Sequence, residues 1–178
     1  MGLGGGFLMT IYDKKTQRAY SLNARETAPA AASEQLYRFQ PKMARRGALA
    51  VGVPGELAGY WAAHQRFGRL PWSSLVEPSL NICRNGYQMS KHQYDSLNFQ
   101  PENIYGDSLL KKIFVNSTTN KFYPQGTKII HHKLCKTLEI ISEEGGDALY
   151  NGSLAKILAE DVKDLGGIIT MKDLNDYR

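Results

Sequence analysis

Two short β-strands are predicted near the start of the chain. Residues 7–12 form a nearly continuous apolar run after a cluster of glycines, which is typical of a strand buried on both faces. A polar connection over residues 13–17 leads to a second strand over residues 18–25. Because the connection is as short as those of most hairpins, the two strands are expected to form a β-hairpin.

Alternation along the second strand separates two different faces. Successive side chains of a strand point to opposite sides, so Tyr20, Leu22 and Ala24 share an apolar face. The other face carries small and polar side chains and ends at Arg25. The sequence therefore places a guanidinium at the end of a strand, on the face that does not enter the core.

Helical spacing dominates the rest of the chain, whereas residues 28–48 show no regular period. Helices are predicted where apolar side chains recur at three- and four-residue steps and where glycine, proline or capping residues mark the ends. They cover about residues 55–67, 71–85, 90–98, 133–144 and 153–165, and a last helix opens at Thr170. The segment between the third and fourth helices, to about residue 127, is expected to be looser.

The sequence also predicts the roles of several individual side chains in these helices. Pro78 is expected to bend or break the second helix, and Ser153 to cap the fifth. Thr170 and Asp173 resemble a capping box at the start of the last helix. The following side chains are expected to face the core: Leu75, Leu80, Ile82, Leu134, Ile157 and Leu165.

The predicted fold class is α+β, with an N-terminal β-hairpin followed mostly by helices. Two strands and about six helices make a lopsided domain, because the strand at residues 7–12 lacks evident neighbours. Residues 1–178 are therefore expected to form a single incomplete domain. The chain begins within a glycine turn and stops as a helix opens, so it is expected to be cut at both ends.

Composition and charge exclude several classes of protein. The net charge is +5, but the basic residues are scattered, and nucleic-acid binding would need a clustered basic surface. The longest apolar runs are shorter than the roughly 18 residues that a membrane-spanning helix needs. The glycine-rich start lacks the basic and apolar regions of a signal peptide. The basic residues are therefore interpreted as solvated surface charge, and no nucleic-acid partner is expected.

Two cysteines and two glycosylation sequons give information about the cellular compartment of the protein. Cys83 and Cys135 could pair in an oxidising compartment, or remain free buried thiols, and their spacing does not decide between these states. Asn116 and Asn151 each begin an Asn-x-Ser/Thr triplet and are candidate glycosylation sites. The sequons favour a secreted or lumenal protein.

Most motifs that suggest chemistry have a simpler explanation. The glycines at positions 2–6 precede a strand instead of opening a helix, so close backbone packing explains them better than phosphate binding. His131 and His132 point to different sides of any element, and His64 lies on an apolar helical stripe, so no metal site is expected. Thr118-Thr119 has no accompanying base and is interpreted as part of a loop.

Arg25 is the best candidate for ligand binding. Its planar guanidinium can bind a carboxylate through two hydrogen bonds, which lysine cannot do. The small side chains of Ala24, Thr27 and Ala28 are expected to leave a groove, and Pro29 to direct the chain away. The alternative is a structural ion pair, for example with Glu26.

Five stretches resemble the large-subunit region of the γ-glutamyltransferases, also called γ-glutamyl transpeptidases or glutathione hydrolases. The most specific motifs are Asn-Ala-Arg-Glu-Thr-Ala-Pro and Val-Pro-Gly-Glu, and the resemblance covers most of residues 2–178. The stretches are GLGGGFLMTIYD, NARETAPAAA, VGVPGELAGYWAAHQRFGRLPW, EPSLNICRNGY and GGDALYNGSLAKILAEDVKDLGGIITMKDLNDYR.

The resemblance implies an incomplete N-terminal-nucleophile hydrolase, whose complete fold is a four-layer αββα sandwich. Such enzymes cleave themselves, and the new N-terminal threonine of the small subunit attacks the γ-glutamyl amide of glutathione or a related compound. In this chain Arg25 would hold the α-carboxylate of the γ-glutamyl group, and Glu26 is a candidate organiser of the site. No catalytic residue is assigned within the chain, and no metal or organic cofactor is implied.

The family also implies a setting and a partner. Its members act at the outer face of the plasma membrane or are secreted, and the partner would be the small subunit of the same precursor. Some members carry a cysteine pair near residues 109–115, but no disulfide is expected there because this chain has no cysteine in that stretch.

This chain alone is expected to be inactive, because the threonine nucleophile belongs to the small subunit. Two alternatives remain open: a truncated, non-catalytic homologue that acts as a binding or interaction protein, and a secreted structural glycoprotein.

Overall fold

An antiparallel β-hairpin begins the computed structural model, which describes residues 2–178. Strand β1 (Phe7–Asp13) pairs with strand β2 (Arg18–Ala24), with Phe7 opposite Ala24 and Asp13 opposite Arg18. The connection between them is the predicted polar turn. The predicted hairpin is therefore confirmed.

The two faces of β2 differ as predicted, but β1 does not have two buried faces. Ala24 is buried, while Arg25 and the other side chains of the polar face are exposed. On β1, Leu8 is 72% exposed and Tyr12 is 63% exposed. The prediction of a fully buried strand was wrong because, within residues 2–178, β1 pairs with β2 alone and only one face of this hairpin is covered.

The described chain divides into two compact units. Unit 1 contains the residues up to Leu75 together with Ile140–Arg178, and unit 2 contains Val76–Glu139. The helices are α1 (Glu56–Phe67), α2 (Trp72–Asn85), α3 (Lys91–Phe99), α4 (Pro101–Tyr105), α5 (Ser108–Phe114), α6 (His132–Glu144), α7 (Ser153–Asp164) and α8 (Met171–Asn175). No helix within residues 2–178 has both the length and the apolar character needed to cross a bilayer.

In unit 1, helix α1 covers the apolar face of the hairpin. The ring of Phe7 stacks on that of Tyr60 with 4.8 Å between centroids, and Tyr20 contacts Phe67 at 5.2 Å. Gly59 allows this close approach, because a Cβ there would collide with the Ala24 side chain. The region predicted to be irregular contains only short 3₁₀ turns, at Glu34–Tyr37, Pro41–Ala44 and Ala48–Ala50.

Helix α2 differs from the prediction in its continuity. It runs unbroken through Pro78, so of the two effects predicted for Pro78, a bend or a break, the break does not occur. Pro78 lies on the exposed face, where water can satisfy the carbonyl that proline leaves without a donor.

The prediction of which side chains of α2 are buried was also partly wrong. Val76, Leu80 and Cys83 are buried at helical spacing, whereas Leu75 and Ile82 are exposed. Only Leu80 of the three predicted side chains therefore faces the core. The local pattern did not distinguish the two sides, since both carry apolar residues.

Helices α6, α7 and α8 have the predicted positions, but some of the side chains predicted to face the core are exposed. Leu134, Ile157 and Leu165 are exposed, so their predicted burial was wrong. The predicted cap at Ser153 was wrong, because Gly152 occupies the N-cap position of α7 and Ser153 is the first residue of the helix. The Ser153 hydroxyl donates to the carboxylate of Glu144 at 2.6 Å. The capping box formed by Thr170 and Asp173 at the start of α8 is confirmed.

Unit 2 contains a small aromatic-rich core. Met89, Leu97, Phe114 and Ile129 are buried together. Strands β3 (Tyr87–Gln88) and β4 (Lys128–Ile129) pair antiparallel at its edge. The segment predicted to be loose contains α4 and α5, and Asp107 caps the second of these by accepting from the N–H groups of Leu109 and Leu110.

A disulfide bond joins Cys83 and Cys135 in unit 2. Their Cα atoms are 5.5 Å apart, and 52 residues separate them in sequence. The sequence left paired and free cysteines open, and the structure has the paired state. The bond connects the last turn of α2 to the first turn of α6.

Unit 2 is expected to lose stability in mild acid because of His131. The His131 ring stacks on Tyr87 with 5.9 Å between centroids and faces Phe114 at 6.0 Å. Burial lowers the pKa of His131, so the unfolded chain binds its proton more readily. The stability that this provides is present above about pH 6.5, the ordinary pKa of histidine, and is lost as the pH falls through the folded value.

The measurement is the urea midpoint at pH 8 and pH 5.5 for the protein and its His131→Asn variant. We expect the change of midpoint between the two pH values to be smaller in the variant. His92→Asn, which makes the same replacement at an exposed histidine of α3, is the control for the substitution itself. Equal pH dependence in the protein and the His131→Asn variant would contradict the prediction.

Candidate functional site

Arg25 directly follows the last residue of β2, and its backbone is fixed on both sides. Its N–H donates to the side-chain oxygen of Asn23 at 3.1 Å. Its carbonyl accepts a hydrogen bond of 2.7 Å from the hydroxyl of Tyr177. The side chain is 60% exposed, and its guanidinium lies 3.2 Å from the carboxylate of Glu26. Two hydrogen bonds therefore hold the backbone of Arg25, while its guanidinium remains accessible.

Other segments pack closely against the chain at the point where the strand ends. A Cβ at Gly6 would collide with the carbonyl of Ala24 and lie 2.9 Å from the Cα of Arg25. Two residues later, Thr27 forms a short bridge with Val53, with hydrogen bonds of 3.3 and 2.9 Å. The prediction that the N-terminal glycines allow close backbone packing is confirmed at Gly6.

A cleft of about 330 Å³ adjoins this segment in unit 1. Thr27, Ala28 and Ala30 line one side, and the C-terminal residues from Thr170 to Arg178 line the other. Thr27 and Ala28 therefore line a cleft as expected of small side chains, whereas Ala24 is buried, and a groove in front of the Arg25 guanidinium stays a prediction. Arg25 precedes the cleft in the chain, and its side chain does not line it among the described residues.

Asp173 connects the two sides of the cleft. One carboxylate oxygen accepts from the backbone N–H of Ala30 at 2.7 Å, and the other accepts from the N–H and hydroxyl of Thr170. Burial raises the pKa of Asp173, but these hydrogen bonds outweigh that effect and the pKa lies below its ordinary value. The carboxylate is thus held ionised as a structural link.

The glycosylation candidates lie in turns at α5 and α7. The Asn116 side-chain oxygen accepts from the N–H groups of Thr118 and Thr119, which places the two threonines in a turn, as their interpretation as a loop predicts. The Asn151 side-chain nitrogen donates to Asp147 at 2.7 Å.

The histidines form no metal site in the part of the chain that is described. His131 contacts Tyr87 and Phe114, and His64 bonds the carbonyl of Leu70 at 2.8 Å. Across residues 2–178, no three His, Cys, Asp or Glu side chains are grouped so that they could hold a metal ion.

Sequence analysis missed the residue that contacts Arg25 from the other end of the chain. Tyr177 is buried and lies 152 positions away from Arg25. Nothing in its local pattern marked it, since a single tyrosine after a short helix is also typical of an ordinary core position.

Comparison with known proteins identifies the class. The family model described as Gamma-glutamyltranspeptidase matches residues 1–178. The chain therefore belongs to the γ-glutamyltranspeptidase family, as its motifs predicted.

Among curated relatives, Scoloptoxin SSD14 of Scolopendra dehaani is 37% identical over 99% of this chain and 31% of its own length. Glutathione hydrolase 2 of Arabidopsis thaliana is 40% identical over 99% of this chain and 30% of its own length. The chain thus spans about a third of the length of these relatives. The crystal structure of Helicobacter pylori γ-glutamyltranspeptidase matches with a TM-score of 0.91 and 32% identity, over 99% of this chain and 51% of that one.

Proposed function

We propose that this chain is part of the large subunit of a γ-glutamyltransferase, where Arg25 binds the α-carboxylate of the γ-glutamyl group. The observation that carries the proposal is the exposed guanidinium of Arg25 on a backbone held by Asn23 and Tyr177. Two parallel hydrogen bonds from a guanidinium fork to a carboxylate fix orientation as well as position. Such an anchor would hold the γ-amide in one place for attack.

The chemistry itself would come from the small subunit of the same precursor. Its N-terminal threonine would attack the γ-glutamyl carbonyl, form a γ-glutamyl ester and release the amine of the substrate. Water, an amino acid or a peptide would then take the γ-glutamyl group from the threonine. This chain contributes binding and orientation, and its hairpin and helices would form part of an αββα sandwich as a single incomplete domain.

Glu26 fits the role of an organiser of the site. It is 28% exposed in its side chain and lies 3.2 Å from the guanidinium of Arg25. The carboxylate oxygen that lies next to the guanidinium is buried, so the ion pair is its contact with a charged group. The ion pair would restrict the rotamers of Arg25 before substrate arrives, while the remaining N–H groups of the guanidinium stay available to a carboxylate.

Glutathione and other γ-glutamyl compounds are the proposed substrates, at the outer face of the plasma membrane or in the secreted state. The disulfide between Cys83 and Cys135 supports this setting, since disulfides persist mainly in oxidising compartments. Asn116 and Asn151 are proposed as glycosylation sites in that compartment.

Activity is expected only when this chain is combined with the small subunit. We expect the complete enzyme that carries residues 1–178 to release p-nitroaniline from γ-glutamyl-p-nitroanilide. The isolated 178-residue chain should remain at the background rate, because it lacks the nucleophile. Release well above background by the isolated chain would contradict the division of roles, and no release by the complete protein would favour a non-catalytic homologue.

A further inference from the structure

Two buried tyrosines hold the backbone on which Arg25 stands. The hydroxyl of Tyr177 donates to the carbonyl of Arg25 at 2.7 Å, and its ring stacks on that of Tyr150 with 5.5 Å between centroids. The Tyr150 hydroxyl donates to the carbonyl of Pro54 at 2.7 Å and accepts from the N–H of Ala58 at 3.2 Å. The pair therefore connects the end of β2 to the start of α1.

The space around this pair is closed. Tyr177 is 9% exposed and Tyr150 is 3% exposed. A Cβ at Gly55 would collide with the hydroxyl of Tyr177 and with the carbonyl of Ala24. Closely packed buried groups have little room to shift, so the hydrogen bond from Tyr177 restricts the position of the Arg25 peptide.

Both phenols remain protonated donors over the whole physiological range. Burial raises the pKa of Tyr150 to about 12. Burial, and after it the negative charge of Glu26, raises the pKa of Tyr177.

The C-terminal segment also holds the other end of the same loop. Asp173 accepts from the N–H of Ala30 at 2.7 Å, and Asn175 donates to the carbonyl of Tyr150 at 2.7 Å. Residues 25–30 are thus held at both ends by a segment that lies more than 140 positions later in the chain.

We propose that Tyr177 is a positioning residue for Arg25, which fixes the backbone from which the guanidinium reaches the carboxylate of the γ-glutamyl substrate. The proposal rests on the proposed function of Arg25. Two parallel hydrogen bonds from a guanidinium to a carboxylate depend on the direction of the guanidinium plane. A shift of the guanidinium by a fraction of the length of a hydrogen bond weakens both of them. Loss of the Tyr177 hydroxyl would leave the guanidinium of Arg25 chemically unchanged but less well oriented toward the carboxylate of the substrate.

The test is Tyr177→Phe in the complete enzyme that carries this chain, with γ-glutamyl-p-nitroanilide as the donor. We expect KM to rise about fivefold, the equivalent of one ordinary hydrogen bond, while kcat stays within about twofold of its original value. The phenyl ring keeps the stacking on Tyr150, so the fold is expected to survive. Thermal unfolding of the purified variant checks this point.

A double-variant comparison separates positioning from general loss of structure. In an enzyme that already carries Arg25→Ala, the change Tyr177→Phe should raise KM no further, because the residue it positions is gone. Tyr37→Phe is the matched control. It also removes a tyrosine hydroxyl in unit 1 that donates to a backbone carbonyl, that of Leu49 at 2.6 Å, and it should leave KM unchanged.

Each outcome decides a different claim. If Arg25→Ala leaves KM unchanged, both the proposed function and the positioning role are overturned. If Arg25→Ala raises KM but Tyr177→Phe does not, the positioning role alone fails. An equal rise of KM on Tyr177→Phe with and without Arg25 would identify a merely structural tyrosine and overturn the proposal.

Discussion

Replacement of Arg25 by alanine is expected to weaken binding of the γ-glutamyl donor about thirtyfold, measured as KM in the complete enzyme, with kcat much less affected. Truncation of one partner of a hydrogen-bonded charge pair costs about 2–5 kcal/mol when the pair is buried. The side chain is 60% exposed in this chain, so the lower end of that range applies. About 2 kcal/mol corresponds to the thirtyfold change.

Arg25→Lys separates charge from geometry. Lysine keeps the positive charge but donates from a single point, so it cannot make two parallel hydrogen bonds to a carboxylate. We expect its KM to lie between those of the parent enzyme and the Arg25→Ala variant. A lysine variant with the KM of the parent would show that charge alone attracts the substrate.

Arg18→Ala is the matched control for the arginine series. Arg18 is exposed at the opposite end of the same strand, where it pairs with Asp13 in the hairpin register. Its removal changes the net charge by the same amount but should leave KM unchanged. If both alanine variants weaken binding equally, long-range attraction explains the effect and Arg25 is not the anchor.

The hairpin shows which parts of the fold local sequence can predict. The period of two along β2 assigned Ala24 to the core and Arg25 to the outside, and both assignments are confirmed. A period reports which side chains share a face, but not how many neighbours the strand has. The prediction that β1 is buried on both faces was wrong for that reason, since Leu8 and Tyr12 are exposed on its uncovered face.

The candidate site shows the same limit at longer range. Arg25 could be singled out because its chemistry and its place at a strand end are both local. Its contact with Tyr177 joins residues 152 positions apart, and no spacing rule connects such positions. The capping box of Thr170 and Asp173 was predicted, but the second role of Asp173, the hydrogen bond from Ala30, depends on the tertiary fold.

The cysteines illustrate a case in which the sequence left two states open. A separation of 52 residues is compatible with either pairing or two free thiols. Only the approach of the end of α2 to the start of α6 brings the two Cα atoms to 5.5 Å, which lies within the range that a disulfide requires.

Reduction of this disulfide is expected to destabilise unit 2 by about 4 kcal/mol. In the chain-entropy account, a cross-link lowers the entropy of the unfolded chain, and a closed loop of this length gives about that value at 25 °C. The small core around Met89 and Phe114 has few buried side chains with which to offset such a loss. The measurement is urea unfolding of the protein with and without dithiothreitol, followed by amide hydrogen exchange in residues 76–139.

The double variant Cys83→Ala and Cys135→Ala provides the control for the reductant. It should match the reduced protein in stability, apart from the small change of side-chain volume, and should not respond to dithiothreitol. Because the cross-link closes unit 2 only, faster exchange should be confined to residues 76–139, while the amides of β1 and β2 keep their protection. Equal stability of the oxidised and reduced protein would mean that the loop is already held by its core, and the entropic argument would then be wrong for this chain.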